Sequence, residues 1–179
     1  MQERSQRISA GSDAGSLLKD SPKRILGISA SDQMMDSTEP DMDRTLISPA
    51  NWYLFPFEGP LPRHASSECR VLRQVYKETP HRAVVHVHPP HAVTLSKNVI
   101  SPVDSEGLLF CPCIPILTGF PGSDELALNI SQRLLVSSVA IARGHGAFAG
   151  GKDLDEAYIH TTLVEHSCRI LILLNQINL

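Results

Sequence analysis

The sequence predicts an α/β protein, and three observations point to it. Helix-period apolar stripes recur at 66–80, 123–135 and from Asp153 onward. Between them lie short runs rich in β-branched and small apolar residues, "RAVVHVH", "CIPIL" and "SSVAIA". Proline, glycine and serine clusters bound each run. The 179 residues are 42% hydrophobic and 20% charged, a soluble balance with enough chain for a sizeable core. No internal repeat or linker divides them, so one domain is expected over 1–179.

The elements follow in order. Residues 1–24 are rich in serine, glycine and charge, and are expected to start with little structure. "ILGIS" reads as a short strand, and "TLIS" and "NWYLFPF" as hairpin strands around a Pro-Ala-Asn turn. "EGPLPRHA" is a loop. "SSECRVLRQVYKETP" is a helix, capped by Ser66 or Ser67, with Val71, Leu72, Val75 and Tyr76 on one stripe and Pro80 at its end. "RAVVHVH" is a strand, and Pro90 suits the first turn of a short helix in "PHAVTLS". Residues 99–118 read as an irregular region with one strand, "CIPIL". Ser123 caps the next helix, which presents Leu126, Ile130 and Leu134. "SSVAIA" is a buried strand, and "RGHGAFAGG" a glycine-rich turn holding a short strand. "DLDE" has the form of a capping box, with Asp153 as cap and Glu156 at the third position of the last helix.

A net charge of −3 gives no drive toward nucleic acid or membranes. The first 23 residues lack a signal-peptide apolar core, and the apolar end "RILILLNQINL" is too short to span a bilayer. Cys69, Cys111, Cys113 and Cys168 form no Cys-x-x-Cys pair and read as reduced thiols. The expected compartment is the cytoplasm.

The chemistry lies in the histidines. His86 and His88 sit two apart on a strand, so alternation puts both on one face, about 7 Å apart at Cα. Val85 and Val87 face the other way. This is the arrangement that two strand ligands to one metal ion require, although a core histidine bonded to a backbone carbonyl fits it too. An open catalytic site needs a third ligand. His145, between Gly144 and Gly146, is the leading candidate and His91 its rival. His160 and His166, on the last helix, read as surface or interface residues. Glu68 lies at the start of a helix, where a carboxylate suits the helix dipole; facing a metal, it becomes a general base. Ser66 and Ser67 precede the same helix and suit either capping or a phosphate.

"SSECR", "AVVHVHPPHAVTLS", "RGHGAFAGGKDLDEAY" and "LVEHSCRIL", in this order, resemble the class II aldolase/adducin family, and within it the fuculose-phosphate aldolases. The resemblance implies a three-layer fold, a mixed, mostly antiparallel sheet between helices. It implies a homotetramer with each site near a subunit interface, acting on a small sugar phosphate. It implies Zn²⁺, or another divalent metal, held by His86, His88 and His145. Glu68 becomes the catalytic acid/base, which also coordinates the metal in the resting enzyme, and Ser66, Ser67, Ser31 and Ser16 the phosphate-binding residues. The family's long first helix is shortened here, and Asp32 stands where the family has glycine.

The implied activity is reversible cleavage of a ketose 1-phosphate, of the L-fuculose 1-phosphate type, to dihydroxyacetone phosphate and an aldehyde through a metal-stabilised enediolate. "PVDSEGLL" lacks the tyrosine that the family places near the aldehyde. Sugar-phosphate epimerase, dehydratase and decarboxylase chemistry are therefore alternatives. An adducin-like interaction module is the non-enzymatic one.

Overall fold

A computed structural model describes residues 24–25, 27–29, 55–56, 59–60, 66–95 and 99–177. The strands are β1 (Arg24–Ile25), β2 (Gly27–Ser29), β3 (Phe55–Pro56), β4 (Ala83–Val87), β5 (Val99–Ile100), β6 (Ile114–Leu117), β7 (Val139–Ala142) and β8 (Gly146–Gly151). The helices are α1 (Cys69–Glu78), α2 (Pro90–Thr94), α3 (Ser105–Phe110), α4 (Asp124–Leu134) and α5 (Leu154–Ile177). Six strands form one sheet in the order β2-β4-β8-β7-β6-β5. Pairs β4/β8, β7/β8 and β5/β6 are antiparallel, and β2/β4 and β6/β7 parallel.

The sheet is covered on both faces. Val84, Ala140, Ala142 and Phe148 pack on Val71, Leu72 and Val75 of α1 and Leu126, Ile130 and Leu134 of α4. Strand alternation sends Val139, Ile141, Ala147 and Ala149 to the other face, against Val164 and Cys168 of α5 and Ala92 of α2. The result is the expected three-layer α/β fold with a mixed, mostly antiparallel sheet.

Local chemistry sets the helix starts. Ser123 Oγ accepts from the Leu126 N–H at 3.1 Å, as a cap should. Asp153 Oδ1 accepts from the Glu156 N–H at 2.9 Å, while the Glu156 carboxylate takes the Lys152 N–H at 2.6 Å. The start of α1 departs from expectation: its cap position is Glu68, with no side-chain cap bond, and Ser66 Oγ instead accepts from the Glu68 N–H at 3.2 Å.

Other departures have physical causes. The 99–118 region holds β5 and α3 as well as β6. Asp104 starts α3 by accepting from the Gly107 N–H at 2.7 Å, a cap that outweighs the weak periodicity of "SEGLLF". The glycine-rich "GAFAGG" is a full six-residue central strand. "ILGIS" is divided: β1 pairs with β3 while β2 joins β4 in the main sheet. "TLIS", Ser16, Ser31, Asp32 and His64 lie outside the described residues. All four cysteines are free thiols, three buried and Cys113 exposed. Among the described residues no helix is long and apolar enough to cross a membrane.

Candidate metal centre

The sheet's alternation and one tight turn bring three histidines together. His86, His88 and His145 place one ligand nitrogen each within 4.8 Å of one another. His86 comes from near the end of the β4 ladder, opposite Phe148 of β8 in register. Its ring stacks on Phe148 with centroids 4.1 Å apart and planes at 20°. His88 lies just past the end of β4. His145 comes from the three-residue turn between β7 and β8.

The two flanking glycines serve different ends. Gly144 has φ +67°, the left-handed conformation that lets β7 reverse into β8, and a Cβ there would meet nothing within 4 Å. At Gly146 a Cβ would stand 2.6 Å from His88 Cδ2, 2.6 Å from the Val87 carbonyl oxygen and 2.8 Å from His86 Cε1. The missing side chain is the space the rings occupy.

His86 is both a satisfied core histidine and a competent ligand. Its Nδ1–H donates to the Ala147 carbonyl at 3.1 Å, which leaves the lone pair on Nε2. Burial, then the neighbouring His88 and His145 rings, lowers its pKa from the ordinary histidine value to about 3, so the ring is neutral at neutral pH. His86 Nε2 faces His88 Nε2 at 3.0 Å. Two nitrogens bound tetrahedrally to one zinc ion stand about 3.3 Å apart, so the pair is spaced to share an ion. Exposure rises from buried His86 through half-buried His145 to exposed His88. One side of the cluster is therefore open to solvent, as a site that must admit substrate requires.

Glu68 lies outside the three-histidine group, at the start of a helix packed on the same face of the sheet. The α1 core residues pack on the surface that bears Phe148, the ring beneath His86. At the far end of α1 the Tyr76 hydroxyl accepts from the Val84 N–H at 3.1 Å, near the start of β4. The start of α1 lies beside Gly122, five residues past the end of β6, where Leu117 pairs with Ala142, the last β7 residue before the turn that carries His145. Glu68 is 1% exposed there, with Ser67 Oγ donating to its Oε1 at 3.4 Å. The Ser67 backbone is braced by Gly122, where φ is +69° and a Cβ would meet the Ser67 carbonyl at 2.8 Å.

The other histidines are placed elsewhere. His81 donates to the Leu134 carbonyl at the end of α4, at 2.9 Å. His160, read as a surface or interface residue, is half-buried; it donates to the Gly150 carbonyl at 3.0 Å and pins α5 to β8. His166 is exposed. His91 is not in the cluster; its Nδ1–H donates to Glu165 at 2.6 Å. Phe148 and Glu165 escaped the sequence reading. Period-two alternation from Gly146 would have found Phe148; no local pattern marks Glu165.

Residues 8–172 match the Class II Aldolase and Adducin N-terminal domain family. The chain belongs to this family. Its fold superposes on a crystal structure of L-fuculose-1-phosphate aldolase from Thermus thermophilus with a TM-score of 0.72 and 35% identity, covering 76% of this chain and 75% of that one. The L-fuculose phosphate aldolase of Methanococcus maripaludis strain S2 is 32% identical over 98 residues, 53% of each chain. The chain thus matches about half the length of this curated relative. YgbL from Klebsiella pneumoniae, a candidate aldolase/epimerase/decarboxylase, shares the fold at TM-score 0.64 and 21% identity, over 73% of this chain and 69% of that one. Class II aldolases are metal dependent, and the three-histidine cluster fits that requirement.

Proposed function

We propose that the chain is a class II aldolase that reversibly cleaves a ketose 1-phosphate, of the L-fuculose 1-phosphate type, to dihydroxyacetone phosphate and an aldehyde. The observation that carries this reading is the His86, His88 and His145 cluster, open on one side, with buried Glu68 at the start of the helix that packs on the same face of the sheet. A divalent ion held by the three histidines, Zn²⁺ in this proposal, supplies Lewis-acid stabilisation of the negative charge that develops as the carbon–carbon bond breaks. Cleavage moves one proton overall: the hydroxyl that becomes the aldehyde carbonyl releases its proton to solvent, and Glu68 delivers one to the carbon left behind, the two transfers reversing in condensation. Ser66 and Ser67 offer hydroxyls at the start of α1, where a phosphate is favoured by the helix N-terminus. Ser16 and Ser31 complete this phosphate set by family resemblance. Phe148 and the Ala147 carbonyl hold His86 in the tautomer and direction that ligation needs. A cytoplasmic homotetramer with its sites near subunit interfaces belongs to the same proposal.

A second reading keeps the fold and the metal but assigns epimerase, dehydratase or decarboxylase chemistry. The observation favouring it is "PVDSEGLL", which carries no tyrosine and forms most of α3 and its cap. Incubation with L-fuculose 1-phosphate distinguishes the two. The aldolase reading expects dihydroxyacetone phosphate and lactaldehyde in equal amounts, a product stream that a chelator stops and Zn²⁺ restores. Conversion to an isomeric sugar phosphate, or no conversion, would contradict it.

A further inference from the structure

Glu165, the glutamate of "LVEHSCRIL", makes a set of contacts that the proposed reaction does not use. Its Oε2 accepts from the His91 N–H at 3.1 Å and the Ala92 N–H at 3.2 Å, and its Oε1 takes the His91 Nδ1–H at 2.6 Å. These bonds join α5 to the start of α2 across more than seventy residues.

The start of α2 is where such a carboxylate has most effect. β4 ends at Val87, so His88 lies one residue past the ladder that fixes its neighbours. Pro89 and Pro90 follow and carry no N–H. The Val93 N–H closes back to the Pro89 carbonyl at 3.0 Å. The two amides that remain in the first turn are those of His91 and Ala92, and Glu165 takes both. Bonds to an ionised acceptor are shorter and stronger than neutral ones. The turn that leaves His88 is therefore held at one end by the β4 ladder and at the other by Glu165.

We infer that Glu165 is a positioning residue for the histidine cluster. It acts through the Pro89–Ala92 turn on the direction of His88, and touches neither metal nor substrate. The inference rests on the metal reading of the cluster.

The test is Zn²⁺ affinity, by competition with a chromogenic chelator, on folded wild-type protein, Glu165→Ala and Glu165→Gln. The visible spectrum of each Co²⁺-loaded form reports ligand geometry. Glu165→Ala is expected to weaken Zn²⁺ binding about 10- to 100-fold, the usual effect of losing an outer support of a metal site, and to shift the Co²⁺ bands. Glu165→Gln is expected to bind within about threefold of wild type. Its amide oxygen can accept both backbone N–H groups, and its NH₂ can donate to the other tautomer of His91. Should Glu165→Ala fail to fold, Glu165→Asp carries the test. One carbon shorter, it cannot reach both amides, and a loss of at least about threefold is expected.

Thr161→Ala, at another buried position on α5, controls for a general weakening of that helix and is expected to leave affinity unchanged. Wild-type affinity and an unshifted Co²⁺ spectrum in folded Glu165→Ala or Glu165→Asp would overturn the inference. Wild-type protein that takes up no metal would overturn the metal reading itself, a different result from the first.

Discussion

Glu68→Gln is expected to keep its metal and to lose about 10²- to 10⁴-fold in kcat, the range a positioned acid/base contributes. Glutamine matches glutamate in shape, and its amide oxygen can still accept from Ser67 Oγ. The three histidines remain in place, so metal content measured on the purified variant should equal that of wild type. What is lost is the group that exchanges a proton with the substrate carbon. Glu68 is 1% exposed, so bulk water does not reach the carboxylate to replace it. Turnover equal to wild type would remove Glu68 from the mechanism and leave it as a buried residue at the start of α1.

Gly146→Ala is expected to weaken metal binding at least about 100-fold while the sheet still forms. The added carbon would fall 2.6 Å from the Val87 carbonyl oxygen and within 2.8 Å of both the His86 and His88 rings. The Val87 oxygen belongs to the β4 backbone, paired with β8, so relieving that contact shifts the strand end that leads into His88, and both rings must move with it. Overpacking of this kind costs about 1–3 kcal/mol, which a domain of this size can tolerate. Gly144→Ala makes the contrast. It meets nothing within 4 Å, but its φ of +67° costs about 1–2 kcal/mol for a residue with a side chain. It should therefore lower the melting temperature with far less effect on metal affinity. Equal effects on affinity from the two substitutions would contradict the role given to Gly146.

Much of this was legible in the residues themselves. Period-two alternation alone puts His86 and His88 on one face and Val85 and Val87 on the other, and the two hydrophobic layers follow that division. Ser123 and Asp153 announce their helices because capping is local chemistry. β8 was harder to read for a physical reason. Glycine is depleted in strands, yet here three glycines make room for other groups. Gly146 admits the His86 and His88 rings, Gly150 the His81 ring, and Gly151 the backbone N of Ala157. Those neighbours come from distant segments, so no window of sequence contains the reason. The Glu165–His91 pair is hidden in the same way: its members lie on different helices, and only the packing of α5 against α2 brings them together.

The proposed chemistry stands on His86, His88 and His145 holding one divalent ion between them. Metal content per chain, measured by plasma emission after dialysis against limiting Zn²⁺, decides whether they do. One equivalent is expected in wild type and essentially none in His86→Ala, with circular dichroism unchanged. Wild-type protein without metal, or a His86→Ala variant that retains a full equivalent, would contradict the assignment.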